Sequence, residues 1–276
     1  MLKLYEKTTL ECSKLITERY STSFSLGIRM LDKDFHAPIY AIYGFVRFAD
    51  EIVDTFYDFN QRELFDKFKA DTFEAIRDKI SLNPVLHSFQ WVVNTYQIKQ
   101  ELINAFLHSM EMDLEESKYN QASYEEYIYG SAEVVGLMCL QVFCEGDCAH
   151  YEHLRIGARR LGAAFQKVNF LRDVKSDFED RGRIYFPNVD FSNFTPNDKT
   201  AIERDIQADF DAAVIAIKQL PAGAKKGVYL AYLYYIKLFN KIKAIPPVRV
   251  QQDRIRVNNF QKILLLFNVY LRGVPA

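Results

Sequence analysis

The chain is poor in the residues that interrupt helices. Only 11 Gly and 8 Pro occur in 276 residues, and no convincing run of alternating polar and apolar residues marks a strand, which argues against a sheet-based fold. Four cysteines in a chain of this size do not suggest a disulfide scaffold. A basic excess is missing too. The 35 Lys and Arg are balanced by 36 Asp and Glu, for a formal net charge of −1. Without a basic field or a long basic block, nucleic acid is not an expected partner. The apolar run Ile263–Phe267 is far short of the roughly 20 residues that span a bilayer. The first residues, Met1–Glu6, lack the apolar stretch and small-residue cleavage pattern of a secretory signal. These absences point to a reduced, cytoplasmic protein. The run Leu264–Phe267 reads as a buried last helix, and transient peripheral contact with a membrane is left open.

What is abundant is apolar: 49% of the residues are hydrophobic, with 17 Tyr and 22 Phe, enough to fill a core and still line a cavity. Helical periodicity predicts helices over Leu4–Glu18, Thr22–Met30, Ala37–Phe56, Gln61–Ile80, Pro84–Thr95 and Lys99–Lys118. Further helices are predicted over Tyr124–Cys144, Ala149–Asp180, Lys199–Gln219, Gly223–Ala244 and Arg254–Leu271. Thr22 or Ser23 is placed to cap the second helix, Pro84 suits a first helical position, and Ser123 with Glu126 fits a capping box. Gly182, Pro187 and Pro196 predict a loop over Arg181–Asp198, and Pro246-Pro247 breaks the pattern again. Neither break resembles an interdomain linker, so a single all-α domain over residues 1–276 is expected.

Two acidic tetrads carry most of the chemical information. Asp50 and Asp54 lie in the apolar run Ala37–Phe56, and Asp173 and Asp177 lie in Leu161–Phe178. A four-residue step on an α-helix turns about 40° past a full turn and rises about 6 Å. Each tetrad therefore aims two carboxylates from one face. Extended backwards, the first stripe reads Tyr43, Arg47, Asp50, Asp54 and the second Gln166, Asn169, Asp173, Asp177, with Arg172 alongside. One Asp-x-x-x-Asp reads by default as a solvated helix face. Two of them, each in an apolar helix with Arg and Asn or Gln in register, point to a pair of clusters that share hard cations through oxygen. Such a site suits magnesium, with manganese as an alternative, and a diphosphate held between ions. Cys144, Cys148, His150 and His153 match no standard zinc spacing and straddle a helix junction. They read as core cysteines and surface histidines.

The strings Tyr20-Ser-Thr-Ser-Phe24 and Ala41-Ile-Tyr-Gly-Phe-Val-Arg-Phe-Ala-Asp-Glu-Ile-Val-Asp54 resemble the squalene/phytoene synthase family. So do Gly130-Ser-Ala-Glu-Val-Val-Gly-Leu-Met138, Gln166-Lys-Val-Asn-Phe-Leu-Arg-Asp-Val-Lys-Ser-Asp177 and Arg181-Gly-Arg-Ile-Tyr-Phe-Pro187. The ordered motifs cover roughly residues 12 to 265, and the first two segments are most like bacterial phytoene synthases. The resemblance implies an all-α isoprenoid synthase fold, a helical bundle around a deep central cavity. It also implies head-to-head condensation of two prenyl diphosphates through a cyclopropyl diphosphate. Carried over by residue, Asp50, Asp54, Asn169, Asp173 and Asp177 look like magnesium ligands. Tyr43, Arg47, Gln166 and Arg172 look like contacts to diphosphate or intermediate. Ser21 and Ser23 occupy early hydroxyl positions near a diphosphate, and Arg183 and Tyr185 look like part of active-site closure.

An allylic cation must be kept from water, so apolar walls are required. Phe24, Val134, Val135, Leu137 and Met138 are the expected wall residues, and Gly130 and Gly136 fit either close approach of the backbone to a lipid chain or ordinary helix packing. Tyr43 or the released diphosphate is the candidate proton acceptor. No Gly-x-Gly-x-x-Gly follows a strand, so NADPH is not expected. The family often has an aromatic residue shortly before an Arg equivalent to Arg254, and residues 247–253 lack it, so Arg254 stays outside the expected site. The expected reaction joins two geranylgeranyl diphosphates into phytoene. A farnesyl-diphosphate-using squalene or dehydrosqualene synthase is the alternative. A non-catalytic assembly factor of the same fold is expected to lose its acidic ligands, whereas all four carboxylates stand here.

Overall fold

Helix follows helix through the computed structural model, which describes residues 1–115, 118–177, 182–250, 252 and 254–275. They are α1 (Leu2–Tyr20), α2 (Thr22–Arg29), α3 (Lys33–Asp54), α4 (Gln61–Asp78), α5 (Pro84–Tyr96), α6 (Gln100–Glu115) and α7 (Gln121–Ile128). A π-helical turn, Tyr129–Glu133, leads into α8 (Val134–Cys144). Then come α9 (Cys148–Lys175), α10 (Pro196–Ile217), α11 (Ala222–Lys243), the short α12 (Pro247–Val250) and α13 (Asn259–Arg272). No named strand occurs among the described residues, so the all-α expectation holds. The expected helix end at Asp180 and the expected loop start at Arg181 lie outside the described residues.

Local chemistry explains where the helices begin, and in several places it corrects the sequence reading. The cap of α2 is Ser21, not Thr22 or Ser23: its backbone is extended and its hydroxyl accepts from the Phe24 amide at 3.2 Å. The box at α7 is built by Asn120, whose side chain accepts from the Ala122 and Ser123 amides while the Ser123 hydroxyl accepts from the Asn120 amide. Asn outcompetes the expected Ser123–Glu126 pair because its carbonyl reaches two free amides at once. The single helix expected over Tyr124–Cys144 carries the π turn in its middle. α10 starts at Pro196, with Thr195 and Asp198 closing a capping box. Pro196 thus opens a helix, its missing N–H falling where no intrahelical partner exists. α3 begins four residues before the expected Ala37, with Pro38 inside it.

α3 packs against α1, α5 and α8, and α9 against α8, α10 and α11. One apolar cluster centres on α3, α5, α6 and α8, where the Phe45 and Phe89 rings stack at 3.8 Å. A second surrounds the far half of α9 with α10 and the segment after it. The stretch Gln121–Cys144 is long and apolar enough to cross a membrane, yet 61% of its most apolar window is buried inside the fold. The last helix departs from expectation. Of α13 only Val269 is buried among the described residues, and Leu264 and Phe267 are exposed rather than packed in the core.

Candidate active site

α3 buries nearly every face except one. Ile42, Phe45, Ala49, Ile52 and Val53 go into the core, which leaves the stripe Tyr43, Arg47, Asp50 and Asp54 along a cavity of about 780 Å³. α9 buries Ala163, Ala164, Val168, Phe170, Leu171 and Val174 and sends Gln166, Asn169, Asp173 and Asp177 to the same cavity. Ser21, Phe24, Arg172 and Tyr185 line it as well. Two expected residues do not. Ser23 is half-buried in the first turn of α2, and Arg183 is buried behind the lining.

Among the expected wall residues, Phe24 and Val135 line the cavity, joined by Leu161 and Phe165. Val134, Leu137 and Met138 are core residues instead. A helix turns about 100° per residue, so neighbours in sequence cannot all face one side; the cavity face of α8 is Val135, Gly136, Cys139 and Leu140. Gly130 serves helix packing, since a Cβ there would lie 2.7 Å from the Ser109 Cβ on α6. Gly136 both lines the cavity and lets α8 approach α9, where a Cβ would meet the Ala158 carbonyl at 2.8 Å.

The site's carboxylates are threaded with guanidinium groups. Asp173 accepts from the Arg172 Nε at 3.0 Å and from the Arg254 Nε at 2.8 Å. Burial works against the charge on Arg172, and the Asp173 partner more than offsets it, so the guanidinium is held above its usual range. Arg47 bonds Glu51, stands 3.9 Å from the Asp50 Oδ2, and lies over the Tyr20 ring at 4.6 Å. Its Nε is buried with no hydrogen-bond partner among the described residues. Burial pushes the Tyr43 phenol up to about 12 despite the nearby Arg47, so it is a donor at neutral pH. Tyr235, stacked on Phe165 at 3.8 Å, donates to the Asn169 Oδ1 at 3.2 Å.

Arg183 ties three elements together. Its Nη1 donates to the Asp54 Oδ1 at 2.8 Å, and its Nη2 to the carbonyls of Val53 at 3.2 Å and Asp113 at 2.9 Å. The Asp113 side chain is the hub beneath: it accepts from the hydroxyls of Tyr127 at 2.6 Å, Tyr185 at 2.9 Å and Tyr119 at 3.2 Å, with Arg183 at 3.6 Å. Burial raises its carboxyl to about 6 against the pull of Arg183. Sequence reasoning missed Asp113, although it follows Phe106 and Met110 at helical steps on the apolar face of α6. It also set Arg254 aside. That residue precedes α13 instead of opening it, and this frees its side chain for Asp173.

Among the described residues no three His, Cys, Asp or Glu side chains converge tightly enough to hold a metal ion unaided. Cys144 is buried but Cys148 is exposed, and His150 and His153 both bond Gln219. The oxygen donors on α3 and α9 still fit magnesium. That ion takes one or two carboxylates and draws its remaining ligands from water and phosphate. The orphaned Arg47 Nε fits the same picture, being a buried donor that an incoming phosphate oxygen would satisfy.

Comparison with known proteins agrees with this geometry. Residues 17–261 match the family model described as Squalene/phytoene synthase. The 4,4'-diapophytoene synthase of Staphylococcus haemolyticus is 26% identical over 70% of this chain and 67% of its own length. The chloroplastic phytoene synthase 2 of Solanum lycopersicum is 26% identical over 95% of this chain and 90% of its own. A crystal structure of a dehydrosqualene synthase in complex with ligand superposes with a TM-score of 0.82 at 21% identity, covering 97% of this chain and 98% of that one.

Proposed function

Because the chain belongs to the squalene/phytoene synthase family, it is a prenyltransferase of the head-to-head type, and we propose that it joins two geranylgeranyl diphosphates into phytoene. The observation that carries this reading is the convergence of the α3 and α9 stripes on one cavity whose α8 wall and deeper lining, Val135, Leu140, Phe143, Leu161 and Phe165 among them, are apolar. The tomato relative, matched across nearly the whole chain, favours the longer substrate.

Asp50, Asp54, Asn169, Asp173 and Asp177 would hold magnesium. When bound, such ions absorb the charge that develops on a departing diphosphate. Arg47 and Arg172 then exchange carboxylate partners for phosphate oxygens, which a guanidinium contacts bidentately. Tyr43 and Ser21 donate to the diphosphate from the cavity rim. Loss of diphosphate leaves an allylic cation that alkylates the second substrate's double bond, and one proton leaves as the cyclopropyl ring closes. Tyr43 keeps its own proton at neutral pH, so the released diphosphate is the acceptor. A second ionisation and rearrangement end with loss of another proton, and no reductant is consumed. Phe24, Val135, Leu161 and Phe165 keep water from the cations, while Arg183 and Tyr185 close the site from behind through Asp54 and Asp113. A cytoplasmic location, as one domain, completes the reading.

A second reading, a farnesyl-diphosphate-using synthase, is favoured by the equal identity to the diapophytoene synthase. Incubation with each diphosphate and magnesium, without and then with NADPH, followed by hydrocarbon analysis, separates the two. A C40 hydrocarbon formed without NADPH supports the first, and a C30 product moves the assignment to the second. No hydrocarbon from either would reject both and favour a non-catalytic role.

A further inference from the structure

The last quarter of the chain is charged unlike the whole. Residues 212–276 hold eleven Lys and Arg against the single Asp253, although the full chain sums to −1. α13 lies in this segment and has two apolar faces. Leu265, Leu266 and Val269 pack inward on Leu230 and Tyr234 of α11 and on Leu26 and Met30. Phe260, Ile263, Leu264, Phe267, Tyr270 and Leu271 point outward and are between 48% and 77% exposed. Their steps of three, one, three, three and one trace a single stripe along the helix. Scattered exposed apolar side chains are ordinary, but a contiguous row of six marks an interaction surface. Arg256 and Arg272 stand exposed at its two ends.

We propose that α13 docks on the surface of an anionic lipid bilayer, its outward stripe entering the boundary between headgroups and acyl chains while Arg256 and Arg272, exposed at its two ends, engage lipid phosphates. Charge selects this occupant. A second copy meeting through the same stripe would set two basic faces against each other, an unfavourable pairing in a two-fold interface. An anionic bilayer is complementary to both the stripe and its flanks. The location also gives docking a consequence: α11, which carries α13, lines the cavity with Gly227, Val228, Ala231 and Tyr235 on its other side. Docking therefore sets the cavity one helix away from the bilayer surface.

Flotation of the full-length protein with phosphatidylcholine vesicles, with and without phosphatidylglycerol, tests the assignment. The protein is expected to float only with the anionic vesicles, and less as added salt shortens the reach of the charges. Phe267→Ser combined with Leu271→Ser should abolish flotation with helix content intact, both side chains being exposed. Arg256→Glu with Arg272→Glu should weaken binding about tenfold or more. Three results would overturn the proposal: no flotation of the wild type with anionic vesicles, flotation that both double variants retain, or a wild-type dimer that does not float and that Phe267→Ser with Leu271→Ser turns into monomer. Binding is read without substrate, so failure here leaves the reading of the cavity untouched.

Discussion

Replacing Arg183 by Met would remove the only cation that stands against the buried Asp113 carboxylate among the described side chains of that hub. Breaking a buried pair from one side costs about 3–5 kcal/mol, because the partner charge is left without compensation. With an unfolding entropy of roughly 2.1 cal/mol/K per residue, a 276-residue chain loses about 5–9 °C of Tm for that cost. The pH dependence is the sharper signature. In the wild type the Asp113 carboxyl, raised by burial to about 6, is mainly ionised from pH 8 down to pH 7. Arg183 is the chief influence holding it down, so Arg183→Met lifts it further. A carboxyl raised in the folded state adds stability that is full below its unfolded value, near 4, and lost as pH rises through the folded one. Between pH 8 and pH 6 the variant takes up its proton and regains about 1.4 kcal/mol per unit within its window, while the wild type changes little from this group. Thermal unfolding followed by circular dichroism at both values should show the Tm gap narrowing by a few degrees on acidification. A gap that stays constant or widens refutes the idea that Arg183 neutralises Asp113.

Asp50→Asn or Asp173→Asn should abolish turnover while leaving helix content unchanged, and full activity in either removes that residue from the proposed ion site. Tyr43→Phe should slow turnover about 10²–10³-fold, the scale of one lost positioned donor. The limbs of the pH–rate profile should stay where they are, since burial holds the wild-type phenol near 12; a basic limb that vanishes with the hydroxyl would make Tyr43 the titrating base. Gly162→Ala should destabilise by about 1–3 kcal/mol in urea unfolding, because its Cβ would lie 2.5 Å from the Ala132 carbonyl oxygen and 2.8 Å from its carbon, both backbone atoms with little freedom to yield.

The parts of the site legible in the sequence are those set by spacing within one helix. Tyr43, Arg47, Asp50 and Asp54 fall in a stripe because α-helical geometry is fixed, and the apolar residues between them show that the stripe faces inward. The same holds for Gln166 to Asp177, and resemblance to a family supplied the knowledge that the two stripes face each other. Helix identity was legible for the same reason, whereas boundaries turned on competition between neighbouring caps, as when Ser21 takes the role expected of Thr22 or Ser23. Wall residues on α8 were misjudged because an all-apolar helix gives no polar face from which to set its phase; Val135 and Val134 look alike until α9 is in place.

What spacing cannot reveal is a bond between distant segments. Asp113 bonds Tyr185 across 72 positions, and Arg183 bonds Asp54 across 129. Each residue alone is an unremarkable polar side chain, and only burial makes the set informative. A carboxylate on the apolar face of α6 is costly without partners, so its presence implies donors that must come from elsewhere in the chain. The structure supplies them as three tyrosines and an arginine, two of the four from the segment that follows α9. That segment is thereby tied to the first acidic helix through Asp54 and to α6 through Asp113. The consequence is mechanical: a change at either end of this chain of bonds reaches the other, and Arg183 affects the cavity without lining it.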